Sequence, residues 1–210
     1  MRSTKIAASV AAAAISAALI AGCSDDSSST SMEGHSMGSS SVSATESTTA
    51  ESESAQFNDA DVMFAQMMYP HHAQAVEMAD LVQGRTSNPD VVALAGAIAA
   101  AQQPEMDQLS AWLSEWGQPA PSTDMGSMDH SGDGSMDGMM TPQDMAVLEA
   151  ASGADFDRQW LTMMIEHHTG AVDMAETEIA DGSNPDAIAM ARDIVETQQA
   201  EISQMQQLLG

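Results

Sequence analysis

The sequence predicts an all-α fold, a four-helix bundle made of two repeated helical hairpins, and three observations carry that expectation. The segment Met67-Met68-Tyr69-Pro70-His71-His72 returns 96 residues later as Met163-Met164-Ile165-Glu166-His167-His168, and its flanks return at the same offset without a gap. Phe64 matches Trp160, Met78-Ala79 matches Met174-Ala175, Asn88-Pro89-Asp90 matches Asn184-Pro185-Asp186, and Gln102-Gln103 with Glu105 matches Gln198-Gln199 with Glu201. A repeat of this length is one supersecondary unit used twice. Apolar residues within each copy recur at the helical period, and Gly, Asn and Pro break each copy into two helices of one bundle.

The chain opens with Arg2 and Lys5 before an apolar run from Ile6 to Ala21 that closes on Ile20-Ala21-Gly22-Cys23. A basic end, an apolar stretch and small residues before a cleavage point make residues 1–22 a signal peptide, too short to span a membrane comfortably. The closing residues are similar to a bacterial lipobox, which implies a lipid on Cys23 and an anchor at the outer face of the cell membrane or in the periplasm. Cys23 is the only cysteine, so the exported part has neither an internal disulfide nor a thiolate ligand for metal. Residues 23–56 are Ser-, Thr- and Glu-rich, too poor in large apolar side chains to offset chain entropy, and read as a disordered tether. Within it lies the cluster Met32, His35 and Met37.

Without the first 22 residues, three basic residues (Arg85, Arg158, Arg192) face all 31 acidic ones, a formal charge of −28. Such a surface excludes nucleic acid as a partner and concentrates cations around the protein. Plain solubility accounts for the charge equally well.

The bundle is expected over residues 57–210, with repeats at 57–117 and 153–210 joined by a Met/His/Gly/Asp-rich linker, 118–152. Between Asn58 and Gln83, steps of roughly 100° per residue from Phe64 place Met67, Met68, His71, Ala75, Met78, Ala79 and Val82 on one face. His71 therefore points to the core and His72 to the edge of the stripe. Pro70 removes a helical hydrogen bond and invites a kink; the second copy has Glu166 there, so the fold does not require one. Asn88-Pro89-Asp90 is a helix start with Pro at its preferred first position, and the second helix is expected to end near Trp116. Its buried face carries two polar residues, Gln102 and Glu105, whose counterparts Gln198 and Glu201 occupy the same positions on the last helix. The linker holds a third cluster, Met125, Met128 and His130. A third helix is expected from about Thr141 or Asp155 to Ile179, and a fourth from Pro185 to Leu209.

Six histidines and nineteen methionines are the oddity of composition, and each histidine has a methionine within a few residues. Thioether is a soft ligand that selects Cu(I) or Ag(I), and imidazole serves copper in either oxidation state. Residues three and four apart on a helix are neighbours, so Met67, Met68, His71 and His72 can converge on one ion, with Met78 two turns on from His71. Methionine also fills cores at helical spacing. The doubled His-His pair and the Met/His clusters in segments without a core favour metal binding over packing alone.

With Met-Met-x-x-His-His-x-x-Ala-Val-x-Met-Ala and the later Gln-Gln-x-Glu in both halves, the chain resembles the Met/His-rich proteins of the "domain of unknown function 305" family. The resemblance covers roughly 58–117 and 155–210. It implies a ferritin-like four-helix shape, copper handling outside the cytoplasm, and binding without an enzymatic activity. Carried over by position, it implies Met67, Met68, His71, His72, Met78, Met163, Met164, His167, His168 and Met174 as ligands. The clusters outside it, Met32, His35 and Met37 and then Met125, Met128 and His130, are weaker candidates on their composition alone.

A carboxylate facing the core is costly unless paired. Glu105 and Glu201, with Gln102 and Gln198, are therefore expected to stand behind the ligands, each Glu accepting a hydrogen bond from His71 or His167. The alternative is a structural Gln/Glu/His network that keeps the helices in register. The sequence thus points to an exported copper-binding protein for Cu(I), and for Cu(II) or Ag(I), that buffers, sequesters or delivers the ion, with a metal-exchange partner it does not identify. Two rivals stand beside it. A ferritin-like di-metal oxidoreductase needs Glu-x-x-His, where this chain has Met68-x-x-His71 and Met164-x-x-His167. A non-metal envelope interaction protein would use the methionines as an adaptable surface.

Overall fold

Asparagine side-chain caps start three of the four long helices. In the computed structural model, which describes residues 56–122 and 138–210, Asn58 opens α1 (Asp59–Asp80) with a capping box: its side-chain oxygen accepts from the Ala60 and Asp61 amides, and Asp61 Oδ2 accepts from the Asn58 amide at 2.6 Å. Asn88 and Asn184 open α2 (Pro89–Glu115) and α5 (Pro185–Leu209), each accepting from the amide two residues on, with Pro in the first turn, and Asn184 accepts from the Ala187 amide as well. These caps satisfy amides that a helix start leaves orphaned. α1 runs unbroken through Pro70, which is buried.

The expected third helix is two elements. Thr141 caps a short α3 (Pro142–Ala150), and α4 (Gly153–Asp181) follows after a break in which Gly153 adopts φ +59°. α3 lies within the stretch read as linker because Met145 and Leu148 are buried against the core. The described part is therefore five helices with no strand, an all-α fold of two helical hairpins, α1–α2 and α4–α5, with α3 between them.

α1 and α4 form the central pair; α2 packs on α1, while α5 and α3 pack on α4. The central pair is antiparallel. Phe64 and Met68 of α1 share one apolar cluster with Ala171 and Ala175 of α4, while Ala75, Met78 and Ala79 share the other with Phe156, Trp160 and Met164. Between the clusters, where the helices cross, His71 meets His167. The sequence repeat thus becomes an approximate two-fold axis through that contact.

Asp61 secures one end of the pair. Fully buried, it accepts from the amides of Asn58, Ser183 (3.1 Å) and Asn184 (2.8 Å), tying the start of α1 to the α4–α5 turn. Burial alone would raise its pKa, but the hydrogen bonds from the Asn58 and Asn184 backbone, with those from Glu178 and Ser183, hold it below the usual carboxylate range. Glu178 moves the other way: burial, reinforced by Asp61, pushes it up to about 8. At the repeat-related end Asp157 and Asn88 make one longer contact, 3.4 Å, and Trp160 instead bonds the Met78 carbonyl at 2.8 Å.

Replacing Asp61 by Asn removes a charged acceptor from three amides and is expected to destabilise the fold by about 3 kcal/mol at pH 7. A carboxylate with a depressed folded pKa stabilises above its unfolded value and loses that contribution as pH falls through the folded one. The stability difference between wild type and Asp61→Asn, measured by urea unfolding, is therefore expected to be constant above about pH 4–5 and to shrink on further acidification. Glu178, neutral in the folded protein until about pH 8, does not titrate there in that window.

Candidate metal centre

Four imidazoles, His71, His72, His167 and His168, occupy the crossing of α1 and α4, and all four are fully buried. The two helices bring the His71 and His167 rings to 3.7 Å between centroids, tilted by 39°. His168 lies 6.3 Å from His167. His72, expected at the edge of its stripe, is as inaccessible as His71, because α2 covers that side of α1.

The outer helices supply the carboxylates. Glu105 Oε2 of α2 lies 2.7 Å from His72 Nε2, and Glu201 Oε2 of α5 lies 2.8 Å from His168 Nε2. The expectation that each Glu would meet His71 or His167 is thus corrected: the partner is the adjacent histidine. His72 is turned toward α2 and His168 toward α5, whereas His71 and His167 are turned toward each other across the axis.

This pairing sets the chemistry of the ring. A carboxylate only accepts, so Nε2 carries the proton and donates it. The lone pair of neutral His72 and His168 then resides on Nδ1, and neither Nδ1 has a hydrogen-bond partner among the described residues. Both Gln102 amide atoms and Gln198 Oε1 are likewise buried and unpaired there, one turn from Glu105 and Glu201. An unsatisfied buried polar atom costs about 1–3 kcal/mol, so these atoms call for partners that the described residues do not supply. Burial, then the neighbouring His71, His168 and His72, drives His167 well below the ordinary imidazole range. It therefore keeps its lone pair at neutral pH.

The methionines divide. Met68 and Met164, one turn before His71 and His167, are fully buried, and Met78 is buried in the same cluster as Met164. Met67, Met163 and Met174 are only partly buried. Met67 and Met174, assigned by sequence to separate clusters, instead face one groove across the α1–α4 seam. Among the described residues no three of His, Cys, Asp and Glu gather around one point. Met32, His35, Met37, Met125, Met128, His130 and Cys23 lie outside the described residues, as does the signal peptide.

A strap closes the crossing from one side. Gly138, at φ +84°, lies so close to α4 that a Cβ there would fall 2.7 Å from the Glu166 carbonyl oxygen and 3.0 Å from that of His167. Gln74 holds the next turn by two hydrogen bonds to the Met140 backbone, 2.7 and 2.8 Å. Sequence reading missed Gly138 and Gln74, since neither carries ligand chemistry.

Paired helical hairpins that bury doubled histidines, backed by carboxylates and flanked by thioethers, define a Met/His-rich helical protein. Residues 61–209 match the DUF305 family, a domain of unknown function, and the chain belongs to that family. Among solved structures it is similar to a DUF305 protein of Streptomyces coelicolor taken to be secreted, at 35% identity and TM-score 0.64 over 71% of this chain and 91% of the other. A DUF305 fragment from Deinococcus radiodurans is 34% identical, TM-score 0.64, over 73% and 97%. CopM in its Cu(II)-bound form is 32% identical, TM-score 0.60, over 71% and 95%, and CopM is also known with Cu(I) and with Ag bound. Comparison with curated proteins gives no match.

Replacing Glu105 by Leu leaves the buried His72 Nε2–H without an acceptor. The expected cost is about 1–3 kcal/mol of stability, with less than half of that for Glu105→Gln, whose amide oxygen still accepts. Ring nitrogen NMR shifts should report a defined Nε2–H tautomer for His72 in wild type and Glu105→Gln, and its loss in Glu105→Leu.

Proposed function

We propose that the protein is an exported copper-binding protein that takes Cu(I), and Cu(II) or Ag(I), into the α1–α4 crossing to buffer, sequester or deliver it. The carrying observation is the pair of buried, unpartnered Nδ1 atoms of His72 and His168, held in the ligating tautomer by Glu105 and Glu201. His71 and His167 add imidazoles at the axis, and Met68 and Met164 add thioethers one turn away. Gln102 and Gln198 line the same faces as the two glutamates, with buried amide atoms left to support a bound ion's surroundings. Copper and silver complexes of CopM, about 30% identical, support the choice of ion. The histidine and methionine donors suit a soft monocation, with nitrogen-rich coordination left for Cu(II). Export and a lipid on Cys23 rest on the sequence of residues 1–23.

The ion is cargo in this reading and the protein is not an enzyme. A di-metal oxidoreductase would need its core carboxylates as ligands, whereas Glu105 and Glu201 are hydrogen-bonded to histidines. The envelope-interaction reading offers no account of four buried imidazoles, whose desolvation a docking surface does not require.

The double variant His71→Ala/His167→Ala is expected to lose core Cu(I) affinity by more than the ~10–100-fold that loss of an outer hydrogen-bonding partner costs, with helical circular dichroism retained. Competition against a chromogenic Cu(I) chelator measures it. Unchanged affinity and stoichiometry would place the ions elsewhere.

A further inference from the structure

The two ends of the α1–α4 pair are related by the repeat, and they differ where the fold gives no reason to. At one end the positions are Gln159, Met163, Met78 and Val82; at the other they are Met63, Met67, Met174 and Glu178. The second set lines a groove of about 370 Å³ between the start of α1 and the end of α4.

We propose that this groove is a separate soft-metal site, holding one Cu(I) or Ag(I) between the thioethers of Met63, Met67 and Met174 over the carboxyl group of Glu178. The proposal rests on the reading of the chain as a soft-metal binder but names a different place, since no histidine lines the groove.

Packing does not explain these side chains. Met63 is 60% exposed, so it fills no core, and Met67 and Met174 are partly open where Met78, the repeat partner of Met174, is fully buried. Met63 and Met67 are one turn apart on α1 and project to the same side, with Met174 facing them from α4. Three thioethers form a donor set that discriminates for soft monocations over Mg²⁺, Ca²⁺ or Zn²⁺.

Glu178 is the independent observation. It is 1% exposed and lines the groove, where its carboxyl group adjoins that of Asp61. Its repeat counterpart is Val82, which shows that an apolar residue satisfies the fold at that position. Burying a carboxyl costs stability, and a monocation held by the thioethers offsets that cost by favouring its ionised form. Asp59 and Asp181 at the groove wall add negative potential that draws cations in. Met67 lies one turn before His71, so the groove adjoins the histidine crossing.

Residue-resolved NMR of the full chain carrying ¹³C-methyl methionine, titrated with Ag(I) as a redox-inert probe, tests the site. The Met63, Met67 and Met174 methyls are expected to shift together along one saturable curve, both in wild type and in His71→Ala/His167→Ala. In Met63→Leu/Glu178→Gln, with unchanged circular dichroism, the Met67 and Met174 shifts should need at least tenfold more Ag(I). Equal titration of those two methyls in the Met63→Leu/Glu178→Gln variant overturns the groove while leaving copper binding at the histidines intact. Loss of the groove shifts in the histidine variant overturns its independence. Absence of any Ag(I) or Cu(I) binding by the wild type would sink both this site and the copper reading.

Discussion

Everything in this fold answers to one constraint, the burial of four imidazoles at a single helix crossing. An imidazole taken out of water must stay neutral or find a partner for every polar atom, and neither comes from α1 and α4 alone. The helices set His71 against His167 and turn His72 and His168 outward, where each meets a carboxylate on the helix that follows. Both pairs span the same 33 residues of sequence. The register of α2 on α1 and of α5 on α4 is thus fixed by a hydrogen bond of 2.7–2.8 Å as well as by apolar packing. A hairpin shifted by one residue would strand both members, a larger penalty than repacking a Leu or an Ala.

Duplication makes the axis, and the departures from duplication show what the fold leaves unconstrained. Asp61 gathers three amides at one end, while its counterpart Asp157 holds Asn88 at 3.4 Å. Trp160 reaches the Met78 carbonyl across the central pair, a bond that Phe64 has no N–H to make. The two ends therefore achieve closure by different means, one polar and one aromatic. The end closed by the polar staple is also the end that leaves an open groove with exposed thioether.

Much of this was legible in the residues. The 96-residue offset and the helical period give two hairpins, and Asn-Pro-Asp gives two helix starts, because caps and periodicity are local and act before tertiary contacts form. What failed needed knowledge of which helix lies on which side. A helical wheel drawn for α1 alone puts His72 at the edge, since it contains no α2 to bury the residue, and it assigns the Glu partners to the wrong histidines for the same reason. Grouping Met67 with His71 and Met174 with His167 by nearness in sequence overlooked that antiparallel helices bring Met67 to Met174. α3 was hidden because nine residues ending in an Ala-Ser-Gly break carry too short a periodic signal to separate from the helix behind them. The signal for Met63 and Glu178 was present all along, as positions where one copy departs from the other.

Charge and softness act at different depths. The chain carries a formal charge of −26, and that field raises the local concentration of every cation, hard or soft, without distinguishing them. Discrimination has to come from the donors. The carboxylates nearest the crossing hold imidazoles in place and are withheld from hard ions, so a divalent cation drawn to the surface gains few oxygen ligands by going deeper. A soft monocation gains thioether sulfur and imidazole nitrogen and brings only one charge into a region where burial has already driven His167 to neutrality. In the proposed copper-binding reading depth itself becomes the selectivity filter, with an acidic surface that collects and a Met/His interior that chooses.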